Sequence, residues 1–358
     1  MHISCFNKLK LKFFWLLYFL AASFLTGCSE TSDAGYFSHV PTLIVSKTEH
    51  KEFINLNIYN EIDYLLELTD NVPQVIDIVN HKHGGYVIFI GSNSSLYYWN
   101  KKDLPQQFSS SGRGPDEIES GIRLLTMDDK VYLLQRARIS EIICDDNGCT
   151  LAVLETFDNF VTYFERRENG DIVWSKHFTS ERGHIIKESN NHQQYFGATY
   201  FHTSKSLLND LNFNTLIPLS QNKGYLQKFL MLPYIVLLNY NLEILKVFEI
   251  EHFIRTPINK RSSRNETYYE FDHFAESTGS AWFHELHDGK VLLIYAHSFA
   301  KPLTTHPMDY EIATKYFDYY TFDPDTQKIE YSGSSDYNII PLKNGIIIRK
   351  DYSLYHYH

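Results

Sequence analysis

Short apolar runs that directly follow polar turns recur along the chain from about residue 80 to its end. Each run contains three to five apolar residues, among them β-branched and aromatic ones, and each follows a turn sequence that contains Gly, Asn or Asp. Turn residues that lead into such runs are typical of strands joined by hairpins. The five clearest runs are Tyr86–Ile90, Val131–Leu134, Ile172–Trp174, Val291–Tyr295 and Ile346–Ile348. Few segments combine helical periodicity with caps, so the pattern predicts an all-β fold.

The spacing of these runs indicates a repeated unit. A weaker sixth run, Tyr234–Leu238, lies in the widest gap, and with it the run starts are about 41 to 62 residues apart. A propeller blade of four antiparallel strands takes about 40–50 residues, and inserted loops lengthen the later units. Six units fill residues 70–358, and no Pro- or Gly-rich linker divides them. We therefore predict a single six-bladed β-propeller domain over residues 41–358. A pair of β-sandwiches and a β-helix are the alternatives.

Further runs predict strands that pair back onto the first ones. Residues 96–99 and 139–143 each follow a clear run, and residues 317–322 turn at Asp323-Pro324-Asp325 into residues 328–331. The last predicted strand covers residues 352–357. A propeller must close its ring to remove an open sheet edge. We therefore expect a strand within residues 53–68 to pair with the last blade.

The beginning of the chain has the pattern of a secretory signal peptide. Lys8, Lys10 and Lys12 precede a 13-residue apolar stretch, residues 13–25, and small residues follow. A transmembrane helix needs about 20 apolar residues, which is more than this stretch provides. Leu25-Thr26-Gly27-Cys28 resembles the bacterial lipobox. The resemblance implies that the Cys28 thiol is diacylglycerylated, that residues 1–27 are removed, and that the new amino group is acylated, for example with palmitate. Two or more acyl chains give stable anchoring.

An anchored chain of this kind lies outside the cytoplasm. Residues 28–40 begin with small polar side chains and suit a lipidated tether. Ser29 follows the cysteine, where an Asp would resemble the inner-membrane retention signal, so we expect the outer membrane. The chain carries 33 Lys plus Arg against 43 Asp plus Glu, and the removed peptide contains lysines but no acid. Because an acidic body repels anionic headgroups, we expect the acyl chains alone to hold it on the membrane lipid.

Composition excludes several classes of protein. At 43% hydrophobic and 15% aromatic residues, the chain is too apolar for a disordered chain, a coiled coil or a collagen-like fibre. A formal net charge of −10 argues against nucleic acid as a partner. The 26 Tyr, 25 Phe and 4 Trp could stack on sugars. Strands favour aromatic residues and packed blade faces use many of them, so we assign most of them to the core.

Two cysteines remain after the signal peptide and the lipidated residue are set aside. Cys144 and Cys149 enclose Asp145-Asp146-Asn147-Gly148 between two apolar runs, and Asn-Gly in such a short loop indicates a hairpin. A four-residue loop places the cysteines opposite each other, where their separation can suit a disulfide. An oxidising compartment permits that bond. The alternative is two free thiols half-buried in a strand pair, whereas a metal site would need more ligands than two cysteines provide.

A glycine-rich stretch follows the first predicted blade. It contains Gly112, Arg113, Gly114, Pro115 and Glu117. The glycines allow a sharp turn between blades and the proline stiffens it, whereas glycine amides beside Arg113 could alternatively cradle an anion. The stretch resembles the Gly-x-Gly-Pro-Gly-Glu sequence after the first blade of six-bladed propeller lipoproteins of Bacteroidetes-like bacteria, relatives of NHL-type and TolB-like propellers. The resemblance implies a fold and a location more than a function. Asp116 stands where that family usually has Gly.

Motifs that carry chemistry are not evident in the sequence. His284 and His287 flank Glu285 at a spacing of three, whereas the zinc motif needs a spacing of four on a helix, so we expect surface histidines on a strand. His81 and His83 could ligate a metal as a pair, but no third ligand is evident. No nucleophile elbow, phosphate-binding loop or dinucleotide fingerprint is present. We predict no catalytic residue, no metal ligand and no cofactor.

Two classes of function fit these observations. The first is a binding or scaffold module that uses the end surface and central channel of the propeller for a protein, peptide or glycan partner. The second is a metal-dependent hydrolase or lyase with its site on the propeller axis, because six-bladed propellers also include lactonase-like and lyase-like enzymes. The second class needs acids, Asn or His from several blades to converge at the axis. We expect the binding module.

Overall fold

The structure is a computed structural model, and it describes most of residues 40–358. The residues outside its description are 1–39, 48–50, 57–61, 68–75, 83, 92–93, 115, 120, 128–129, 146–147, 158–160, 177–184, 191, 199–206, 208–210, 264–265, 273–274, 287, 303–309 and 351–352. The predicted signal peptide and Cys28 therefore lie outside the described residues. Thr42–His358 forms one compact unit.

Six antiparallel sheets follow one another along the chain, and we number them as blades 1 to 6. Blade 1 contains β3 (Ile76–Asn80), β4 (Tyr86–Ile90), β5 (Ser95–Trp99) and β6 (Gln106–Ser109). Blade 2 contains β7 (Gly121–Met127), β8 (Lys130–Gln135), β9 (Arg138–Asp145) and β10 (Gly148–Thr156). Blade 3 contains β11 (Val161–Arg166), β12 (Ile172–Lys176), β13 (Ile185–Ser189) and β14 (His192–Phe196).

The second half of the chain continues the same arrangement. Blade 4 contains β15 (Asn214–Leu219), β16 (Gly224–Phe229), β17 (Tyr234–Leu238) and β18 (Ile244–Ile250). Blade 5 contains β21 (Ser277–Glu285), β22 (Val291–Pro302), β23 (Tyr310–Asp323) and β24 (Lys328–Ser335). Blade 6 contains β25 (Asn338–Pro341), β26 (Ile346–Lys350) and β27 (Ser353–Tyr357). A separate hairpin, β19 (Ile258–Ser263) with β20 (Glu266–Phe271), lies between blades 4 and 5 in sequence.

The blades pack face to face around a ring. Four apolar clusters each combine residues of two neighbouring blades: blades 1 and 2, 4 and 5, 5 and 6, and 6 and 1. Blades 3 and 4 meet through the rings of Tyr163 and Tyr225, whose centroids lie 6.2 Å apart. Most of the largest fully buried side chains are Tyr and Phe, so aromatic residues do fill the spaces between sheets. The predicted six-bladed β-propeller is confirmed.

An early strand closes the ring. Strand β2 (Ile62–Glu67) pairs antiparallel with β27 and completes blade 6 as its fourth strand. This pairing confirms the strand expected within residues 53–68. A further strand, β1 (Thr42–Val45), adds in parallel to β18 at the edge of blade 4, which the sequence analysis did not anticipate.

The repeated apolar runs fall on equivalent strands in five blades. The runs that start at residues 86, 131, 172, 291 and 346 lie in the second strand of their blade. The weaker run, Tyr234–Leu238, is a strand, but it is the third strand of blade 4. The second strand there is Gly224–Phe229, which is fully buried although it contains Gln227 and Lys228. These two polar residues concealed the strand from the sequence pattern.

Candidate functional site

A cavity of about 420 Å³ lies at the centre of the ring. The first strand of every blade contributes to its wall, so these six strands lie nearest to the axis. One wall residue from each blade in turn is Asp77, Arg123, Tyr163, Ile217, His284 and Pro341. The volume is in the range of about 300–1,000 Å³ that is usual for small-molecule sites. The axial cavity is therefore the candidate functional site.

Irregularities in three of the axial strands come just before residues of the cavity wall. The register shifts between Gly121 and Arg123 in β7, between Val161 and Tyr163 in β11, and within residues 280–283 in β21. An irregularity of this kind changes the direction of the side chains that follow it, and it is frequent beside functional sites. In the third strand, Phe283 and His284 follow the irregularity and enter the cavity wall.

Arg123 connects three blades across the cavity. Its Nη1 donates a hydrogen bond to Thr215 Oγ1 of β15 at 2.9 Å, and its Nε donates to the Leu124 carbonyl oxygen at 3.4 Å. The guanidinium carbon lies 4.0 Å from the centroid of the Phe283 ring of β21. These contacts hold a planar cation in one orientation at the axis.

Asp77 is a buried acid of the cavity wall, and its charge interacts with that of Arg123. Its Oδ2 accepts a hydrogen bond from the Leu124 backbone N–H at 2.8 Å, which ties blade 1 to blade 2. Burial raises the pKa of the Asp77 carboxyl, while the Arg123 charge and the Leu124 hydrogen bond oppose that rise. The field of Arg123 thus helps to keep a carboxylate in a buried position.

His284 is buried, with 8% of its surface exposed, so the prediction of a surface histidine was wrong for this residue. The strand expected there is present, but it is the first strand of blade 5 and contributes Phe283, His284 and Glu285 to the cavity wall. His284 Nε2 is buried without a hydrogen-bond partner among the described residues. Burial, with the positive charges of Arg123 and Lys228, lowers the pKa of His284 to about 3. The ring is therefore neutral at physiological pH. His287 lies outside the described residues.

Lys228 is a buried lysine close enough to Arg123 and His284 to interact with them electrostatically, and the sequence did not point to it. Its Nζ donates to the Ile294 carbonyl oxygen at 3.2 Å and lies 4.7 Å from the centroid of the Tyr295 ring. Burial and the Arg123 charge lower the pKa of Lys228 well below its ordinary value. In the sequence, Lys228 is a polar residue within a short run. The structure shows that this run, Gly224–Phe229, is a strand in which every residue is buried.

The glycine-rich stretch forms a turn in which the Glu117 carboxylate binds a glycine amide. The Gly114 N–H donates to Glu117 Oε2 at 2.6 Å, and the Gly112 N–H donates to the Ile118 carbonyl oxygen at 3.1 Å. A Cβ atom on Gly112 would lie 2.2 Å from the Glu117 carboxylate. A side chain at residue 112 would therefore displace the Glu117 carboxylate from this turn. Of the two alternatives raised by the sequence, these contacts favour the structural turn, since the anion in the turn is Glu117.

The remaining residues of this stretch are peripheral. Arg113 is exposed, and its Nε lies 3.8 Å from Glu119 Oε1. Asp116, which stands where the lipoproteins that this stretch resembles usually have Gly, is not among the described residues with positive φ, so its backbone does not require glycine. Pro115 lies outside the described residues. The stretch connects blade 1 to blade 2, away from the axial cavity.

Three of the other cysteine and histidine candidates, Cys144, Cys149 and His81, lie among the described residues. Cys144 and Cys149 are directly paired across β9 and β10 and joined by a disulfide, with a Cα–Cα distance of 4.0 Å. His81 is buried beside the Tyr98 ring, and His83 lies outside the described residues. Cys144, Cys149 and His81 are not part of the wall of the axial cavity.

Blade 5 also contains a buried Thr–His–Asp arrangement. His297 Nε2 lies 2.8 Å from Asp318 Oδ2, and His297 Nδ1 lies 3.0 Å from Thr278 Oγ1. Asp318 Oδ1 accepts hydrogen bonds from Lys47 Nζ at 2.8 Å and from Ser334 Oγ at 2.7 Å. The histidine, the aspartate and the threonine are each no more than 3% exposed. A substrate has no access to the hydroxyl, so the arrangement is a structural clamp that holds the segment after β1 on blade 5.

Comparison with known proteins supports the fold. No family model matches the chain, and no curated protein matches it. A member of the DUF4221 family from Bacteroides vulgatus superposes with a TM-score of 0.52 at 7% identity, covering 84% of this chain and 96% of that one. An exported protein from Bacteroides fragilis gives 0.49 at 11% identity, covering 88% and 99%. A virginiamycin B lyase from Staphylococcus aureus gives 0.43 at 11% identity, covering 83% and 98%.

These identities are low, so the similarities concern the fold alone. The chain is similar in architecture to propellers of bacterial origin. None of the helices in the described part of the chain is long and apolar enough to span a bilayer.

Proposed function

We propose that the chain is a lipid-anchored extracytoplasmic binding protein whose axial cavity accepts a carboxylate of its ligand. The observation that carries the proposal is the position of Arg123, which three blades hold at the axis. A planar guanidinium is the side chain best suited to recognise a carboxylate, because its N–H groups match the two oxygens. The apolar part of the wall, which includes Ile217 and Leu125, suits the part of the ligand that carries the carboxylate.

His284 supports the same assignment. A buried polar atom without a partner destabilises a protein by about 1–3 kcal/mol. Nε2 of His284 is such an atom, and it belongs to the cavity wall. A bound carboxylate would accept a hydrogen bond from the Nε2–H tautomer and remove that penalty. The arginine and the histidine together would then bind one acidic group of a peptide or glycan partner.

The same electrostatic field argues against a metal ion at the axis. Arg123 and Lys228 disfavour a proton on His284, and their field would disfavour a divalent cation there for the same reason. Asp77, the buried acid of the cavity wall, already accepts the Leu124 N–H. We therefore favour a binding function over a metal-dependent hydrolase or lyase that acts at the axis.

Titration with a panel of ligands tests the cavity. The panel contains acidic peptides, uronic acids and small carboxylates, each with its amide as the neutral counterpart, and affinity is measured by isothermal titration calorimetry. We expect a carboxylate to bind and its amide to bind at least about tenfold more weakly, because a charged hydrogen bond contributes about 1.5–3 kcal/mol. Arg123→Gln should weaken carboxylate binding by a similar factor.

Arg166→Gln is the matched control for this variant. Arg166 is an exposed arginine that pairs with Glu155 at 3.0 Å on the surface of blade 3. Its replacement should leave the affinity unchanged. Equal affinity of wild type and Arg123→Gln for the carboxylate, or equal binding of acid and amide, would refute the proposed site.

The anchor is tested separately. In cells supplied with labelled palmitate, we expect the wild-type protein to incorporate the label and Cys28→Ser to remain an unlabelled precursor. We propose the outer membrane as the destination, and fractionation of the two forms would locate it. Label that persists in Cys28→Ser would disprove anchoring through this residue.

A further inference from the structure

Three side chains able to bind a metal converge where the ring closes. Asp63 lies on β2, His356 lies on β27 and His358 follows β27. One ligand atom of each lies within 4.8 Å of the other two. Asp63 and His356 are direct partners in the β2–β27 pairing. His358 is two residues beyond His356 and therefore lies on the same side of the strand.

The buried member of this cluster has one ring nitrogen committed and one unpaired. His356 is 5% exposed, and its Nε2 lies 3.1 Å from the Asn344 carbonyl oxygen. A carbonyl oxygen only accepts hydrogen bonds, so Nε2 carries the proton and Nδ1 carries the lone pair. Nδ1 is buried and has no hydrogen-bond partner among the described residues. Metal-binding histidines show this arrangement, in which the second nitrogen donates to a backbone carbonyl and fixes the ring.

Aromatic rings of blade 1 hold the His356 ring in place. The Trp99 ring meets it edge-on, with 4.9 Å between the centroids, and Trp99 in turn stacks on Tyr86 at 5.5 Å. The imidazole therefore cannot turn away to find another partner without disrupting this packing. At the exposed end of the cluster, His358 Nε2 lies 2.7 Å from Asp63 Oδ2. The cluster thus combines a fixed, buried ligand with two exposed ligands that are free to adjust.

We propose that Asp63, His356 and His358 bind one divalent metal ion, with Zn²⁺ as the best match. Imidazole nitrogens and a carboxylate oxygen are usual zinc ligands, at about 2.0–2.2 Å from the ion. Two ligand atoms of a tetrahedral ion then lie about 3.4 Å apart. The atoms here need to move by about 1 Å or a little more, which the exposed side chains of Asp63 and His358 allow. Water would complete the coordination.

The ion would act on the closure of the ring. It would join β2, near the start of the propeller, to the end of its last strand, β27. A ligand that binds the folded state and not the unfolded chain raises the stability of the fold by mass action. The site lies on the outer strands of blade 6, outside the axial cavity, and it is independent of the carboxylate site proposed above.

Calorimetric titration with Zn²⁺ alone tests the proposal, on protein purified without a histidine tag. We expect saturable binding of one ion per chain and a rise in Tm as Zn²⁺ is added. His358→Ala should weaken the affinity at least about 100-fold, since even residues behind the ligands contribute 10–100-fold. His358 has an exposed side chain and lies outside the strands, so its replacement should not impair folding. Asp63→Asn, also an exposed position, should weaken binding in the same direction.

His252→Ala is the matched control. His252 is another exposed histidine beside a carboxylate, with its Nε2 3.9 Å from Glu251 Oε2, and the described residues give it no third ligand. Its variant should bind Zn²⁺ as the wild type does. The absence of one-to-one binding, an unchanged affinity in His358→Ala, or an equal loss in His252→Ala would each overturn the proposal.

Discussion

Two buried histidines of blade 5 differ in what the fold provides for them. His297 lies on β22, and both of its ring nitrogens have partners, Thr278 and Asp318. His284 lies on the adjacent strand β21, and its Nε2 has no partner among the described residues. Both rings are more than nine-tenths buried. A buried polar group with all its partners present stabilises the structure, whereas one without a partner destabilises it and indicates a place for a ligand.

The largest effect is expected when the hydrogen bonds of His297 are removed. Asp318→Ala removes the acceptor that holds His297 and Lys47. Loss of one member of a buried charged network costs about 3–5 kcal/mol, because the remaining charge is left uncompensated. We expect the free energy of unfolding in urea to fall by about this amount.

Asp325→Ala is the control for that measurement. Asp325 also pairs with a lysine, Lys223, but its side chain is 78% exposed. An exposed ion pair contributes little, so the change should stay within about 0.5 kcal/mol. Similar losses in both variants would show that the clamp is not the source of the stability.

Replacement of His284, the histidine whose Nε2 lacks a partner among the described residues, should change the stability less at neutral pH. His284→Leu removes the buried Nε2 that lacks a partner. Replacement of such a group by an apolar one of similar size is nearly neutral or stabilising. We expect the free energy of unfolding at pH 7 to change by less than about 1 kcal/mol, or to rise, while carboxylate binding weakens.

The same variant has a distinct pH dependence. The pKa of His284 is lowered from 6.5 to about 3 in the folded protein. Below pH 6.5 the unfolded chain takes up a proton that the folded protein does not, so the free energy of unfolding falls as the pH drops toward 3. Urea unfolding at pH 7 and pH 5 should show a loss in wild type that is smaller in His284→Leu. The control is the same substitution at the exposed His192, His192→Leu. An equal loss of unfolding free energy in wild type and His284→Leu would contradict the burial assigned to His284.

Much of the fold could be predicted from the sequence because its signals are local. Turn residues followed by apolar runs marked the second strand of five blades, and the need to close the ring pointed to β2. In blade 4 the apolar run marked the third strand instead of the second, because the second strand contains the polar residues Gln227 and Lys228. Their burial depends on neighbouring strands that no local pattern reports.

The axial site could not be predicted for a related reason. Arg123 and His284 are far apart in sequence, and only the ring brings their strands to one axis. The irregularities in β7 and β21 that precede the cavity residues have no clear sequence signature. The glycine-rich stretch, in contrast, was visible as a motif, yet its function is local, since Glu117 fills the turn.

We propose that the ring leaves Arg123 and His284 available for a carboxylate, whereas it provides internal partners for both ring nitrogens of His297. Nuclear magnetic resonance of protein with ¹⁵N-labelled histidine rings measures this most directly, during titration with the best carboxylate of the panel. We expect the Nε2 signal of His284 to shift saturably, with the affinity measured by calorimetry, and the signals of His297 to stay in place. A His284 signal that does not move when the ligand is saturating would contradict it.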